Sequence, residues 1–315
     1  MVHTQHHKTA DGASIAYRIH GSGKGVPLVL IMGLSGVMDD WSPLVEELAK
    51  SRKVLISDHR GIGESTVPED WDSDLNHDVM SDDILSVLAA LGSDWSTLDI
   101  LGWSMGGHIL QRLLTRPDST VTTRGTIELL KGKVEVRKAI LAATMTKMPR
   151  GDINMAQMQE EAGKIKDGKK RKRWATEQML AYQYDVASLE KDERLNKIMQ
   201  DRIEVSLNTT RPQEMIAMQA GAIGQYRSRD DLGRIPESVP VLIIHGKLDR
   251  MVHYKESEPF EKGIAHAKRV DLSDGVKEAQ DGQYGHFWFD YFEPSFWAGK
   301  INAFLDGSTA TQAKL

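Results

Sequence analysis

Short apolar runs alternate with longer amphipathic stretches along this chain, the pattern of a largely parallel sheet covered on both faces by helices. Apolar runs bounded by turn residues predict strands over 14–19, 27–32, 54–57, 98–103, 138–143, 239–245 and 269–272. Apolar positions at three- and four-residue intervals predict helices over 41–51, 77–91, 106–116, 254–262 and 293–305, the last with Pro294 at its start. Between 149 and 234 the pattern changes. Strand-like runs vanish, and Met155, Met158, Met179, Met199, Met215 and Met218 recur among polar residues at helical spacing. The reading is an α/β core formed by 1–148 and 235–307, a helical insertion over 149–234 and a flexible tail over 308–315. Residues 1–12, polar and carrying His3, His6 and His7, read as a frayed, solvated segment rather than a metal site.

Within this pattern the junction near residue 103 stands out. Gly102-Trp103-Ser104-Met105-Gly106 lies where a strand-like run gives way to a helical one. A serine on such a turn is held in a strained conformation that lifts its hydroxyl clear of the sheet, and flanking glycines remove Cβ atoms that would clash. Two further candidates follow later strands, where an open α/β sheet gathers its functional groups. Asp249 lies in His245-Gly246-Lys247-Leu248-Asp249, and His286 lies in Gly285-His286-Phe287. A serine hydroxyl needs an imidazole to take its proton, and the imidazole needs a carboxylate to fix its tautomer. The oxyanion that forms needs N–H donors. These are assigned to the backbone of Met105 and of Leu34, which follows the strand over 27–32. Trp103, His253 and Phe287 are candidates to line the substrate pocket. Asp40 reads as a helix cap, His108 as a buried helix residue, His245 as structural and His59 as a turn residue.

Composition narrows the chemistry. The 315 residues carry 40 basic and 45 acidic side chains, a net charge of −5 that does not suggest a nucleic-acid partner. The chain has no cysteine, which excludes disulfides, thiolate zinc sites and thiol catalysis and fits an intracellular, soluble protein. No apolar run approaches a membrane span, and no cofactor or metal is expected. Lys169-Lys170-Arg171-Lys172-Arg173 reads as a solvated face in preference to a nuclear signal. Ala313-Lys314-Leu315 is a close variant of the Ser-Lys-Leu address, so a peroxisomal import receptor is an expected partner in a eukaryotic source and a cytoplasmic location otherwise.

With these residues in order, the chain resembles the α/β-hydrolase family. The resemblance rests on the Gly102–Gly107 elbow, the Asp249 and His286 loops, and Asp58-His59-Arg60-Gly61-Ile62-Gly63-Glu64-Ser65, similar to the family's Asp-x-Arg-Gly-x-Gly-x-Ser string. It implies that 149–234 is a cap closing over the site. It departs at Met32-Gly33, where members usually carry His-Gly before the oxyanion donor, which bears on how that loop is held. The implied activity is hydrolysis of a carboxylic ester or lactone, with a hydrophobic small-molecule substrate, through an acyl-enzyme on Ser104. Rival readings on the same residues are carbon–carbon bond hydrolysis, cofactor-free perhydrolysis, a small peptidase, or a non-catalytic ligand-binding member. Serine in place of aspartate at 104 argues against halide and epoxide chemistry.

Overall fold

The computed structural model describes residues 2–122 and 126–307. Ten strands form one sheet: β1 (Gln5–Lys8), β2 (Ser14–His20), β3 (Gly25–Ile31), β4 (Arg52–Ser57), β5 (Thr97–Trp103), β6 (Thr120–Val121), β7 (Ile127–Leu129), β8 (Val134–Ala142), β9 (Val241–Ile244) and β10 (Lys268–Arg269). The spatial order runs β1-β2-β4-β3-β5-β8 and continues through β9 to β10. From β4 onward along that path neighbours are parallel, while β1 and β2 are antiparallel. The β6–β7 hairpin pairs antiparallel with the first residues of β8, beside the stretch that β9 covers.

The alternation along the strands sorts the apolar side chains onto two faces. Val29, Ile31, Leu55, Ile100, Leu141 and Ile243 join one buried cluster with α2 (His77–Leu91) and α3 (Met105–Leu114). Leu28, Leu30, Val54, Ile56, Leu101 and Ile244 join a second with α1 (Leu44–Leu48) and α11 (Pro294–Asp306). A strand buried on both sides carries apolar residues at nearly every position, which is why these were readable as short runs.

Between β8 and β9 the chain forms five helices: α4 (Met155–Lys164), α5 (Gly168–Ala181), α6 (Val186–Lys191), α7 (Glu193–Asn208) and α8 (Gln213–Gln225). Asn154, Asp167, Asp185 and Asp192 each accept a backbone N–H at the start of the first four, which sets where each helix begins. The basic run sits on α5, exposed, with Arg173 paired to Glu204 of α7 at 2.7 Å. After β9 come α9 (Glu258–Gly263), α10 (Lys277–Gln280) and α11.

Several expectations change; among them, the strand expected over 269–272 is β10 at Lys268–Arg269, and the helix expected over 254–262 is a 3-10 turn at Tyr254–Ser257 followed by α9. Residues 5–8 are not frayed: they pair with β2, and His7 Nε2 lies 2.6 Å from Ser86 Oγ. The helix expected over 41–51 shrinks to α1, because Pro43 separates it from a short 3-10 turn at Met38–Trp41. The strand expected over 138–143 begins at Val134, since it pairs with a hairpin too polar to show as a run. Ala313, Lys314 and Leu315 lie outside the described residues. Among the described residues no helix is long and apolar enough to cross a membrane, and no group of three acidic or histidine side chains forms a metal site.

Candidate active site

Ser104 occupies the single residue between β5 and α3, with φ 56° and ψ −121°. Such a conformation is costly for a side-chain-bearing residue and persists only where its surroundings enforce it. Here they do. Ser104 N–H donates to Ala142 O at 2.9 Å, and Ser104 O accepts from Thr144 Oγ1 at 2.7 Å and from Gly107 N at 2.9 Å. The turn is too tight for a side chain at Gly106, whose Cβ would stand 2.1 Å from Ile31 O. Ser104 is buried, with 9% of its surface exposed.

Gly33 faces the serine directly: a Cβ there would lie 3.0 Å from Ser104 Cβ and 3.6 Å from Oγ. Among the described residues, the N–H groups of Leu34 and Met105 have no protein acceptor. The Met32 side chain is buried, and its carbonyl oxygen lies 2.9 Å from His59 Nε2. His59 is therefore more than a turn residue. Burial lowers its pKa, so it is a neutral imidazole that donates to the start of this loop. Beyond Leu34, Ser35 N–H donates to Gln219 Oε1 of α8 at 2.8 Å, and Ser35 O accepts from Arg211 Nη1 at 2.8 Å. Asp40 caps its 3-10 turn by accepting Val37 N–H at 2.9 Å, and it pairs with Arg211 at 3.0 Å.

Asp249 and His286 meet, with His286 Nδ1 2.8 Å from Asp249 Oδ2. The other carboxylate oxygen accepts the N–H groups of Met251 and Val252 at 2.9 and 2.8 Å. Burial alone would raise the Asp249 carboxyl, but the His286 charge and hydrogen bonds from His245 and His286 hold it well below the usual carboxylate range. His245 Nε2 lies 2.8 Å from Val252 O and 3.3 Å from Asp249 Oδ2, so it steadies the acid loop. No hydrogen bond joins Ser104 Oγ to His286. The two residues are linked through Trp103, whose Nε1–H donates to His286 O at 3.0 Å.

Of the three residues expected to line a pocket, Trp103 and Phe287 are buried beside the histidine loop, the Trp103 ring centre 5.5 Å from that of His286, and His253 is at the surface. Trp103 is buried among Trp41, Phe287 and Phe289. Phe287 stacks on Tyr184 on one side and lies beneath the Arg202 guanidinium, 4.1 Å away. Both rings pack into the aromatic layer beside the histidine loop. His253 is at the surface, with Nε2 2.7 Å from Asp152 Oδ1. Sequence reading passed over Gln183, Arg202, Asp290, Arg211 and Gln219, which hold the two loops. No local pattern marks them, since each acts on a partner far away in the chain.

A model of the alpha/beta hydrolase fold matches residues 26–289, most of the chain and the stretch that holds Ser104, Asp249 and His286. The chain belongs to the alpha/beta hydrolase fold family. Within it, 107 residues are 39% identical to the 2-hydroxymuconate semialdehyde hydrolase of Pseudomonas sp. (strain CF600), covering 33% of this chain and 36% of that one. A stretch of 146 residues is 32% identical to the putative carbamate hydrolase RutD of Azorhizobium caulinodans, covering 42% and 50%. The matches thus span about a third to a half of these relatives' length. Among solved structures, the enol-lactonase of Burkholderia xenovorans LB400 superposes with a TM-score of 0.71 at 20% identity, over 96% of this chain and all of that one. The esterase EaEST of Exiguobacterium antarcticum does so at 0.72 and 19%, over the same shares. These alpha/beta hydrolase neighbours share the fold.

Proposed function

We propose that this alpha/beta hydrolase cleaves a carboxylic ester or lactone through an acyl-enzyme on Ser104. The observation that carries the reading is the strained serine between two unpaired N–H groups, at the end of a strand whose last residue holds the loop of a carboxylate-bound histidine. An imidazole donating from Nδ1 to Asp249 keeps its lone pair on Nε2. As Ser104 Oγ attacks the carbonyl carbon, Nε2 takes the hydroxyl proton. The Leu34 and Met105 N–H groups receive the developing oxyanion, each contributing ~3 kcal/mol to lowering the barrier. Collapse breaks the bond to the leaving oxygen, which takes the proton back from Nε2. Water then repeats the sequence and releases the acid. In this reading the helices over 149–234 form the cap of the site.

Carbon–carbon hydrolysis is the second reading, favoured by the 39% match to the Pseudomonas hydrolase. It uses the same serine on a ketone carbonyl, with a carbon leaving group. The test is turnover of a chromogenic acyl ester and of a vinylogous diketone, with mass-spectrometric mapping of a fluorophosphonate adduct. Ester turnover, an adduct on Ser104, and a loss on the order of 10³-fold or more in Ser104→Ala are expected. An adduct that persists in Ser104→Ala would overturn the assignment, and preferred turnover of the diketone would select the second reading.

A further inference from the structure

We propose that Arg202, in helix α7, is a positioning residue for His286, so that the helical insertion sets the geometry of the reacting histidine. The proposal rests on the catalytic reading of Ser104, His286 and Asp249. Arg202 is buried, and its fork is filled from two loops that border the site. Its Nε and Nη2 reach the two carboxylate oxygens of Asp290, both at 2.5 Å. Its Nη1 donates to Asp40 O at 2.8 Å, and Nη2 also donates to Ser42 O at 3.1 Å. The guanidinium lies 4.1 Å from the centre of the Phe287 ring, the residue directly after His286. Tyr184 completes the network, donating to Asp290 Oδ2 at 2.6 Å.

The residue before Tyr184 touches the histidine itself. Gln183 O accepts the backbone N–H of His286 at 3.0 Å and that of Phe287 at 3.3 Å. The carbonyl of His286 is taken by Trp103. The peptide groups of this histidine are thus held on one side by the nucleophile's neighbour and on the other by the insertion. Arg202 and Tyr184 anchor that second hold through Asp290, four residues further along the same loop. A buried Arg–Asp pair adds little net stability, because desolvation of both charges offsets their attraction. What the planar fork supplies is direction, since one guanidinium that spans Asp290, Asp40 and Ser42 fixes the loops relative to each other. A reacting group displaced by about 1 Å costs on the order of 10²-fold in rate.

The experiment measures inactivation of the full chain by a small fluorophosphonate, separating the limiting rate from the apparent affinity, beside the thermal midpoint. Arg202→Met/Asp290→Leu replaces the pair by apolar residues of similar size and removes the fork without stranding a charge. The limiting rate should fall between about 10- and 100-fold. Apparent affinity should stay within about three-fold, and the thermal midpoint should fall because the buried Tyr184 hydroxyl loses its acceptor. Arg202→Lys keeps the buried charge but cannot span the three partners, and should lose about ten-fold. A purely structural role moves the midpoint alone. Wild-type rates in both variants would overturn the positioning role while leaving Ser104 as nucleophile. If the double variant fails to fold, Arg202→Lys decides by itself. Absence of any Ser104 adduct in the unmodified chain would instead overturn the catalytic reading, and this proposal with it.

Discussion

Both oxygens of Asp249 are committed, one to His286 and the other to two backbone N–H groups of its own loop. The carboxylate therefore cannot turn, and the hydrogen bond it accepts from Nδ1 decides which imidazole nitrogen is free. Asp249→Asn keeps the shape but can offer an amide N–H where an acceptor is needed. Turnover of an ester should fall on the order of 10³–10⁴-fold in a protein that still folds, checked by kcat at neutral pH. The folded carboxyl lies below its unfolded value, so its stabilisation is present above about pH 4 and is lost as the pH falls through the depressed value. At this scale the sequence was legible where a residue's placement follows from its local turn. Ser104, Asp249 and His286 each follow a strand, and their types state their chemistry. For Trp103 and Phe287, adjacency in sequence does not say which way a ring points; Trp103 packs against Phe287 and His286, and Phe287 lies under Arg202. Met32 and His59 form a hold between residues 27 apart, which neither motif alone discloses.

Helices α2 and α3 meet around two histidines that the proposed chemistry does not use. His77 stacks on Tyr226 with ring centres 4.3 Å apart, and His108 packs edge-on against both. Burial pushes the His77 imidazole down to about 4, against a weaker upward pull from Asp78, and pushes His108 well below its ordinary value. Below pH 6.5 the unfolded chain takes up protons that the folded one refuses, so stability falls as the pH falls from 6.5 toward 4. His77 alone accounts for up to about 3 kcal/mol across that window. His77→Phe should remove close to one proton from the slope of unfolding free energy against pH, measured by urea denaturation between pH 7.5 and 4.5. An unchanged slope would show that His77 titrates normally. The elements themselves were readable in proportion to their burial. The strands β3, β4, β5, β8 and β9 carry apolar residues into both buried clusters and show as apolar runs, whereas β1 and β6 are largely exposed and β7, with only Ile127 and Leu129 buried, is too short to leave such a mark.

Over the whole molecule, the insertion grips the two loops of the candidate site at separate points. Gln183, Tyr184 and Arg202 hold the histidine loop, while Thr210 O accepts Gly63 N–H at 2.7 Å and Arg211 and Gln219 hold the loop that carries Leu34. Periodicity shows that 149–234 is helical, but it cannot show contacts between residues 88 to 184 positions apart. Arg211 gives this arrangement a measurable consequence. It donates to Ser35 O and pairs with Asp40, so it fixes the peptide that follows Leu34. Arg211→Ala leaves Asp40 with Val37 N–H and a longer pairing to Arg202 at 4.0 Å. Stability should fall by about 2 kcal/mol, the cost of a lost hydrogen bond to a charged group. On the proposed reading, in which the Leu34 N–H meets the oxyanion only in the transition state, the kcat for an ester should fall about ten-fold with KM little changed. Gln219→Ala, which leaves Ser35 N–H unpaired, should move kcat the same way. A lower thermal midpoint with full kcat per folded molecule, in both variants, would mean that the oxyanion loop keeps its shape without the insertion.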